Sequence, residues 1–255
     1  MCHVLVYHTC EPAPQTPLET PWGAPLVWGD SRNSALQRAK FAQRDVHTGL
    51  LTLVVGTYAR FVRRFLSSAE THFLPDQRVT YYILTDNPHS LDPPIKLGPE
   101  RQLRVVPIAE LPGWERLAYR RMALLAEAIR NQISSDIEYI FCADIDQEFV
   151  APVGEEILGE LVATLHPELY GMPRNTFPYE IEQVSSARVD ENEGDYYYTS
   201  ELYGGLVSEI YRLIIKIFLN RLIHAEYPFH AIMESSLKNY CFNPCHVGNW
   251  WWWWW

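Results

Sequence analysis

What most limits the fold of this chain is a regular alternation between about residues 49 and 166. Short apolar, β-branched runs alternate there with longer stretches of helical period. "LLTLVVG", ending at Gly56, reads as a buried strand. The next stretch, 58–73, places Tyr58, Phe61, Val62, Phe65, Leu66, Ala69 and Phe73 at i, i+3, i+4 and i+7 spacing, which predicts an amphipathic helix. "VTYYILTD" (79–86) and "LRVVPI" (103–108) read as further strands. "LAYRRMALLAEAIRNQI" (117–133) reads as a long helix, "IEYIFCADID" (137–146) as a strand and "VGEEILGELVATLH" (153–166) as another helix. Strands alternating with helices of this length predict βαβ crossovers: an α/β fold with a mostly parallel, Rossmann-like sheet and helices on both faces.

The flanks read differently. Residues 1–48, with "EPAPQTPLETPWGAP", read as an extended arm. Residues 173–198 show no clear period. From Leu202 the sequence predicts a Gly-Gly turn followed by a helix to 223, with a second helical stretch near 230–240. We read 49–249 as one domain, with a nucleotide-binding half (49–150) and an acceptor half (151–249). Residues 250–255, all tryptophan, form an aberrant tail with no strand or helix face.

Charge narrows the function. The net charge of −10 and the lack of any basic run longer than two residues argue against a nucleic-acid partner. Acidity does not exclude a phosphate-bearing ligand, because a bound divalent metal supplies positive charge locally. No apolar run approaches the roughly 20 residues that span a bilayer. No signal peptide opens the chain. The five cysteines show no metal-ligand spacing, and Cys142 reads as a small core residue.

The chemistry points to "FCADIDQEF" (141–149). Asp144 and Asp146 close a predicted central strand, where open α/β sheets bind ligands. As i and i+2 on a strand they face the same way. Two such carboxylates can share a hard divalent cation whose remaining ligands are water and phosphate oxygens. Three readings stand on the residues alone: a metal–diphosphate clamp, an Asp-x-Asp phosphatase and a solvated turn.

The neighbourhood adds to this. "PWGAPLVW", "FLSSAETHF", "VTYYILTDNP", "RRM", "FCADID", "ATLHPELYG", "FPYE", "EGDYYY", "YGG" and "ESSL" occur in this order over about residues 21–240. The ordered set resembles glycosyltransferase family 6, the family of the blood group A and B transferases, the α-1,3-galactosyltransferases and the Forssman (globoside) transferases. "YYILTDNP", "LGPERQL" and "PRNTFPYE" look closest to the Forssman branch. The resemblance implies an A-type glycosyltransferase (GT-A) fold and a retaining hexosyltransferase. Such an enzyme moves galactose or N-acetylgalactosamine from UDP-Gal or UDP-GalNAc, in α-1,3 linkage, onto a glycolipid or glycan hydroxyl. It further implies Mn2+ on Asp144 and Asp146, and nucleotide contacts from Leu53, Val54, Val55, Tyr58, Arg121, Asp144 and Ile145. His166, Thr199 and Glu201 would face acceptor or donor sugar, and Glu234 would be the carboxylate near the anomeric carbon. Full-length members are type II Golgi proteins, so this chain is expected to meet a membrane only through an anchor absent from it.

Departures from the family pattern cluster in the second half. Ala231, Ile232 and Met233 precede Glu234 where the family has Trp-His-Asp or a close variant, and Glu201 stands where small residues select the sugar. Ile181 and Glu182 replace arginines, and the family's basic closing segment is not matched. The alternative expectation is therefore a relative that binds UDP and metal without turnover.

Overall fold

The structure, a computed structural model, describes residues 17–223 except 22, 28, 30, 110–113, 134, 180, 184–187, 192 and 195, together with 241–242 and 247–249. Ten strands and four α-helices order these residues. They are β1 (Leu26–Val27), α1 (Arg32–Phe41), β2 (His47–Val54), α2 (Val62–His72), β3 (Arg78–Thr85), β4 (Arg101–Pro107) and α3 (Trp114–Asn131). β5 (Tyr139–Ala143), β6 (Gln147–Phe149), β7 (Leu161–Leu165), β8 (Tyr198–Leu206), α4 (Val207–Ile223), β9 (Cys241–Phe242) and β10 (Val247–Asn249) follow.

Eight strands form one sheet in the order β1-β9-β7-β8-β5-β2-β3-β4, and β10 pairs with β6 beside it. Within the sheet β8 alone runs antiparallel to its neighbours, β5 and β7. The expected mostly parallel α/β sheet is therefore present. β8 also crosses the boundary at residue 150, since it lies between β5 and β7.

Side-chain alternation sorts the core into two layers. Leu51, Tyr82, Leu84, Ile140 and Cys142 pack with Met122, Leu125 and Ile129 of α3 and Ile210, Leu213 and Ile214 of α4. Their neighbours Leu50, Tyr81, Ile83, Phe141 and Ala143 pack on the opposite face with Phe41 of α1 and Val62, Phe65, Leu66 and Ala69 of α2. Both faces are covered, which is why the central strands read as continuous apolar runs.

Four expectations are corrected. Residues 32–41 are not part of an extended arm. Ser31 caps α1 by accepting the Ser34 N–H at 3.3 Å, and Gln37 donates to Leu158 O at 3.1 Å. The first central strand begins at His47 rather than after Gly49. Residues 153–166 are not a helix but a short 3-10 turn at Glu155–Ile157 followed by β7. "LVATL" is buried throughout, and strand pairing there outweighs a helical period that a short apolar run imitates. Gly204 and Gly205 do not turn the chain. They lie inside β8, where a Cβ on Gly204 would overlap the Phe141 ring and one on Gly205 would overlap Glu160 O. The expected helix near 230–240 and the tryptophan tail lie outside the described residues. No helix among the described residues is long and apolar enough to cross a membrane.

Candidate active site

Parallel strands deliver their carboxyl ends to one edge of the sheet, and β8 delivers its amino end there. At that edge β2 ends beside β5, with Thr52 opposite Ala143, and β8 places Leu202 opposite Ala143. Asp144 follows directly. Its backbone N–H donates to Glu201 O at 2.9 Å, which ties the end of β5 to β8.

The strand stops at Ala143, so the acidic pair is not presented by strand alternation as expected. Asp144 continues the face of Cys142, towards α3. Ile145 turns into the α2 layer, and a turn closed by Gln147 N–H to Asp144 O at 3.2 Å carries Asp146 back beside Asp144. Arg121, on α3, donates from Nη2 to Asp144 Oδ1 as an ion pair. Its Nε is buried and has no acceptor among the described residues. Burial is the largest single influence and pulls the guanidinium towards neutrality, but the charge and hydrogen bond of Asp144, together with the neighbouring Tyr203 and Cys142, outweigh it in sum and raise its pKa.

Asp146 has no ion-pair partner among the described residues. Burial, and then the charge of Asp144, push its carboxyl above the ordinary value. Tyr58 stands in the 3-10 turn Gly56–Phe61 after β2. That turn is held to the end of β3, because Gly56 N–H reaches Asp86 Oδ1 at 3.2 Å. Burial, then Asp146 and Asp144, raise the Tyr58 phenol, so Tyr58 lies within the field of both carboxylates.

The sequence-predicted residues fall into two groups. Tyr58, Arg121, Asp144 and Asp146 converge at the crevice, with Val54 buried and Leu53 half-buried at the end of β2, Val55 just beyond it and Ile145 buried in the turn. His166 and Thr199 lie further along the same edge. His166 N–H donates to Tyr197 O at 2.8 Å, and its ring lies 5.9 Å from that of Tyr197. Thr199 is buried, and its Oγ1 accepts Glu201 N–H at 3.2 Å. A register shift lets Ala163 pair with Tyr203 but Thr164 with Thr199, so Glu201 sits in the bulge between them. Glu234 lies outside the described residues.

Sequence reasoning gave no role to the floor of the site. Cys142 and Tyr203 are opposite each other in the β5–β8 register, both fully buried beneath Arg121. Burial pushes the Cys142 thiol up to about 12 and the Tyr203 phenol well above its usual value, so both are neutral. Strand alternation held the signal, since Cys142 is two residues before Asp144 and shares its face.

The donor set fits a hard divalent cation. No group of three or more metal-ligating side chains occurs among the described residues, so a cation held there by Asp144 and Asp146 would take most of its shell from water and ligand oxygens. A cation there would relieve the repulsion from Asp144 that, after burial, raises Asp146. The orphan Arg121 N–H suits an anionic oxygen.

The family model described as glycosyltransferase family 6 matches residues 10–244. The canine globoside alpha-1,3-N-acetylgalactosaminyltransferase 1 is 41% identical over 192 residues, covering 75% of this chain and 55% of that protein. The rat histo-blood group ABO system transferase 1 is 34% identical over 194 residues, with 76% and 56% covered. Human alpha-1,3-galactosyltransferase 2 is 34% identical over 192 residues, with 75% and 56% covered. The chain thus spans just over half the length of these relatives. Its architecture is the A-type glycosyltransferase fold, and the chain belongs to glycosyltransferase family 6.

Proposed function

We propose that this chain is a retaining hexosyltransferase. It moves galactose or N-acetylgalactosamine from UDP-Gal or UDP-GalNAc, in α-1,3 linkage, onto a glycolipid or glycan hydroxyl, with Mn2+ as cofactor. The observation that carries the reading is the partly buried pair Asp144 and Asp146 at the carboxyl edge of the sheet, with Arg121 beside it. The names of its relatives, globoside and ABO transferases and a galactosyltransferase, support the proposed substrate class.

In this reading Asp144 and Asp146 hold the metal. When bound, the metal neutralises charge on the departing diphosphate as a Lewis acid. The backbone of Leu53, Val54 and Val55 meets the base, and Tyr58 packs on the nucleoside. Arg121 donates to phosphate or sugar oxygens with the fixed fork geometry of a guanidinium. His166, Thr199 and Glu201 border the sugar subsites. Glu234 supplies a carboxylate near the oxocarbenium-like centre, as nucleophile or as stabiliser. The proposed setting is the Golgi lumen.

Glu201 favours a second reading, a relative that binds UDP and metal without turnover. It is half-exposed beside the acidic pair, where it adds bulk and charge next to a neutral sugar. Calorimetric titration of UDP with and without Mn2+ tests the binding site. Mn2+-dependent binding is expected for the wild type and is lost in Asp146→Asn. Absence of binding at millimolar UDP overturns the nucleotide reading. Mn2+-dependent hydrolysis of UDP-Gal or UDP-GalNAc, followed by an acceptor panel, separates the transferase from the non-catalytic relative.

A further inference from the structure

The two aspartates of the pair are alike in sequence and unlike in the fold. Asp144 is fixed on both sides: its N–H is tied to Glu201 O at 2.9 Å and its Oδ1 is taken by Arg121. Asp146 stands in the turn two residues on and carries no ion pair among the described residues. Arg121 itself is firmly placed. It precedes Met122 and Leu125 on α3, which pack into the sheet, and it stands over the neutral Cys142 and Tyr203. A guanidinium does not lose its proton in proteins, so this positive charge is permanent. One cation is therefore built into the site before any metal arrives.

We propose that Arg121 is a resident counter-ion on Asp144, so that a divalent cation is anchored first by Asp146 and is held weakly until an anionic diphosphate draws the guanidinium away from Asp144. The inference rests on the metal–diphosphate reading and adds an order of loading to it. Arg121 competes with the metal for Asp144 when nucleotide is absent. When nucleotide is present, the same group, with Nε unused among the described residues, turns to the phosphate oxygens. Metal and nucleotide then bind with positive coupling, because each removes an obstacle to the other. Arg121 is thus a positioning residue for the metal as well as a contact for the nucleotide.

The test is Mn2+ binding without nucleotide, followed by the electron paramagnetic resonance signal of free Mn2+, on the wild type, Arg121→Gln, Arg121→Lys, Asp144→Asn and Asp146→Asn. Circular dichroism checks that each variant is folded. Removing a neighbouring positive charge is expected to tighten binding of Mn2+ alone about tenfold in Arg121→Gln. Asp146→Asn is expected to lose more affinity than Asp144→Asn, whose charge Arg121 already offsets. Adding UDP should raise Mn2+ affinity strongly in the wild type and much less in Arg121→Gln. Folded Arg121→Gln with unchanged or weaker affinity for Mn2+ alone overturns the proposal. If Arg121→Gln does not fold, Arg121→Lys decides, since a lysine lacks the fork that grips Asp144: tighter Mn2+ binding than wild type supports the proposal and equal binding overturns it. If the wild type binds no Mn2+ even with UDP, and Asp146→Asn is indistinguishable from it, the metal reading and this proposal fall together. Metal binding that requires Asp146 but ignores Arg121 sinks this proposal alone.

Discussion

A methyl group at Gly204 would overlap the Phe141 ring across the β5–β8 pairing. Its neighbour Gly205 has φ +147° and lies against Glu160 O, a conformation and a contact that a side chain does not accept. Gly204 lets β8 close up to β5 and Gly205 lets it close up to the start of β7, and the β5–β8 pairing holds Asp144 through Glu201 O. Gly204→Ala is expected to cost about 1–3 kcal/mol by overpacking. For a chain of this size that lowers the melting temperature by roughly 2–4 °C per kcal/mol. Phe141→Leu in the same chain should recover part of the loss, because it opens space where the methyl lands. Thermal denaturation of the single and double variants measures both. The sequence shows two adjacent glycines and cannot say whether they turn the chain or let two strands close up. The answer lies in Phe141, more than sixty residues away.

At the scale of elements, α1 shows how a polar segment joins the core. Its helical residues lack a clear apolar stripe, and the Pro-rich stretch before it invites an arm reading. Yet Phe41 is 1% exposed and meets Tyr139 edge-on with ring centroids 5.9 Å apart. Arg38 bonds to the buried Glu156 at 2.9 Å. Phe41→Ala is expected to destabilise the protein by about 3–5 kcal/mol, as for other buried aromatic truncations. An arm residue would give a change near zero, so urea denaturation separates the two readings. β7 makes the same point. "LVATL" carries apolar residues that suit a helix or a strand, and β8 on one side and β9 on the other settle it as a strand. By contrast α2, α3, β3 and β4 are legible, because their apolar period is long or their β-branched content is high.

Over the whole molecule the sheet separates its work between two edges. The carboxyl edge carries the acidic pair. The amino edge carries a polar network that secures the fold. There the buried His47, which opens β2, bonds from Nδ1 to Asp136 at 2.7 Å and from Nε2 to Thr80 Oγ1 at 2.9 Å. Arg78–Asp45 at 2.9 Å and Arg44–Glu138 at 2.7 Å lie beside it. The hydrogen bond from His47 holds the Asp136 carboxyl below its ordinary value of 3.8. A depressed folded-state value means that the folded chain binds this proton less readily than the unfolded one. The stabilisation is present above the ordinary carboxylate value and is lost as pH falls through the depressed one. Wild type is expected to exceed Asp136→Asn in stability at neutral pH, and the difference should vanish in acid. Urea denaturation of both proteins at several pH values checks this, and a constant difference would contradict it.

Sequence alone was enough for the α/β class, the position of the central strands and the place of Asp144 and Asp146 at a strand end. Those properties follow from local period and from the geometry common to parallel sheets. It also pointed to Tyr58 and Arg121 through the ordered family motifs. Long-range packing supplied the rest: Asp144 and Asp146 meet across a turn rather than along a strand, Arg121 already holds one of them, and Cys142 and Tyr203 form a neutral floor beneath. The reason is physical. Pattern reports which face a residue seeks, but which charge lies beside which, and how deeply, depends on β8 and α3 reaching β5 from distant parts of the chain.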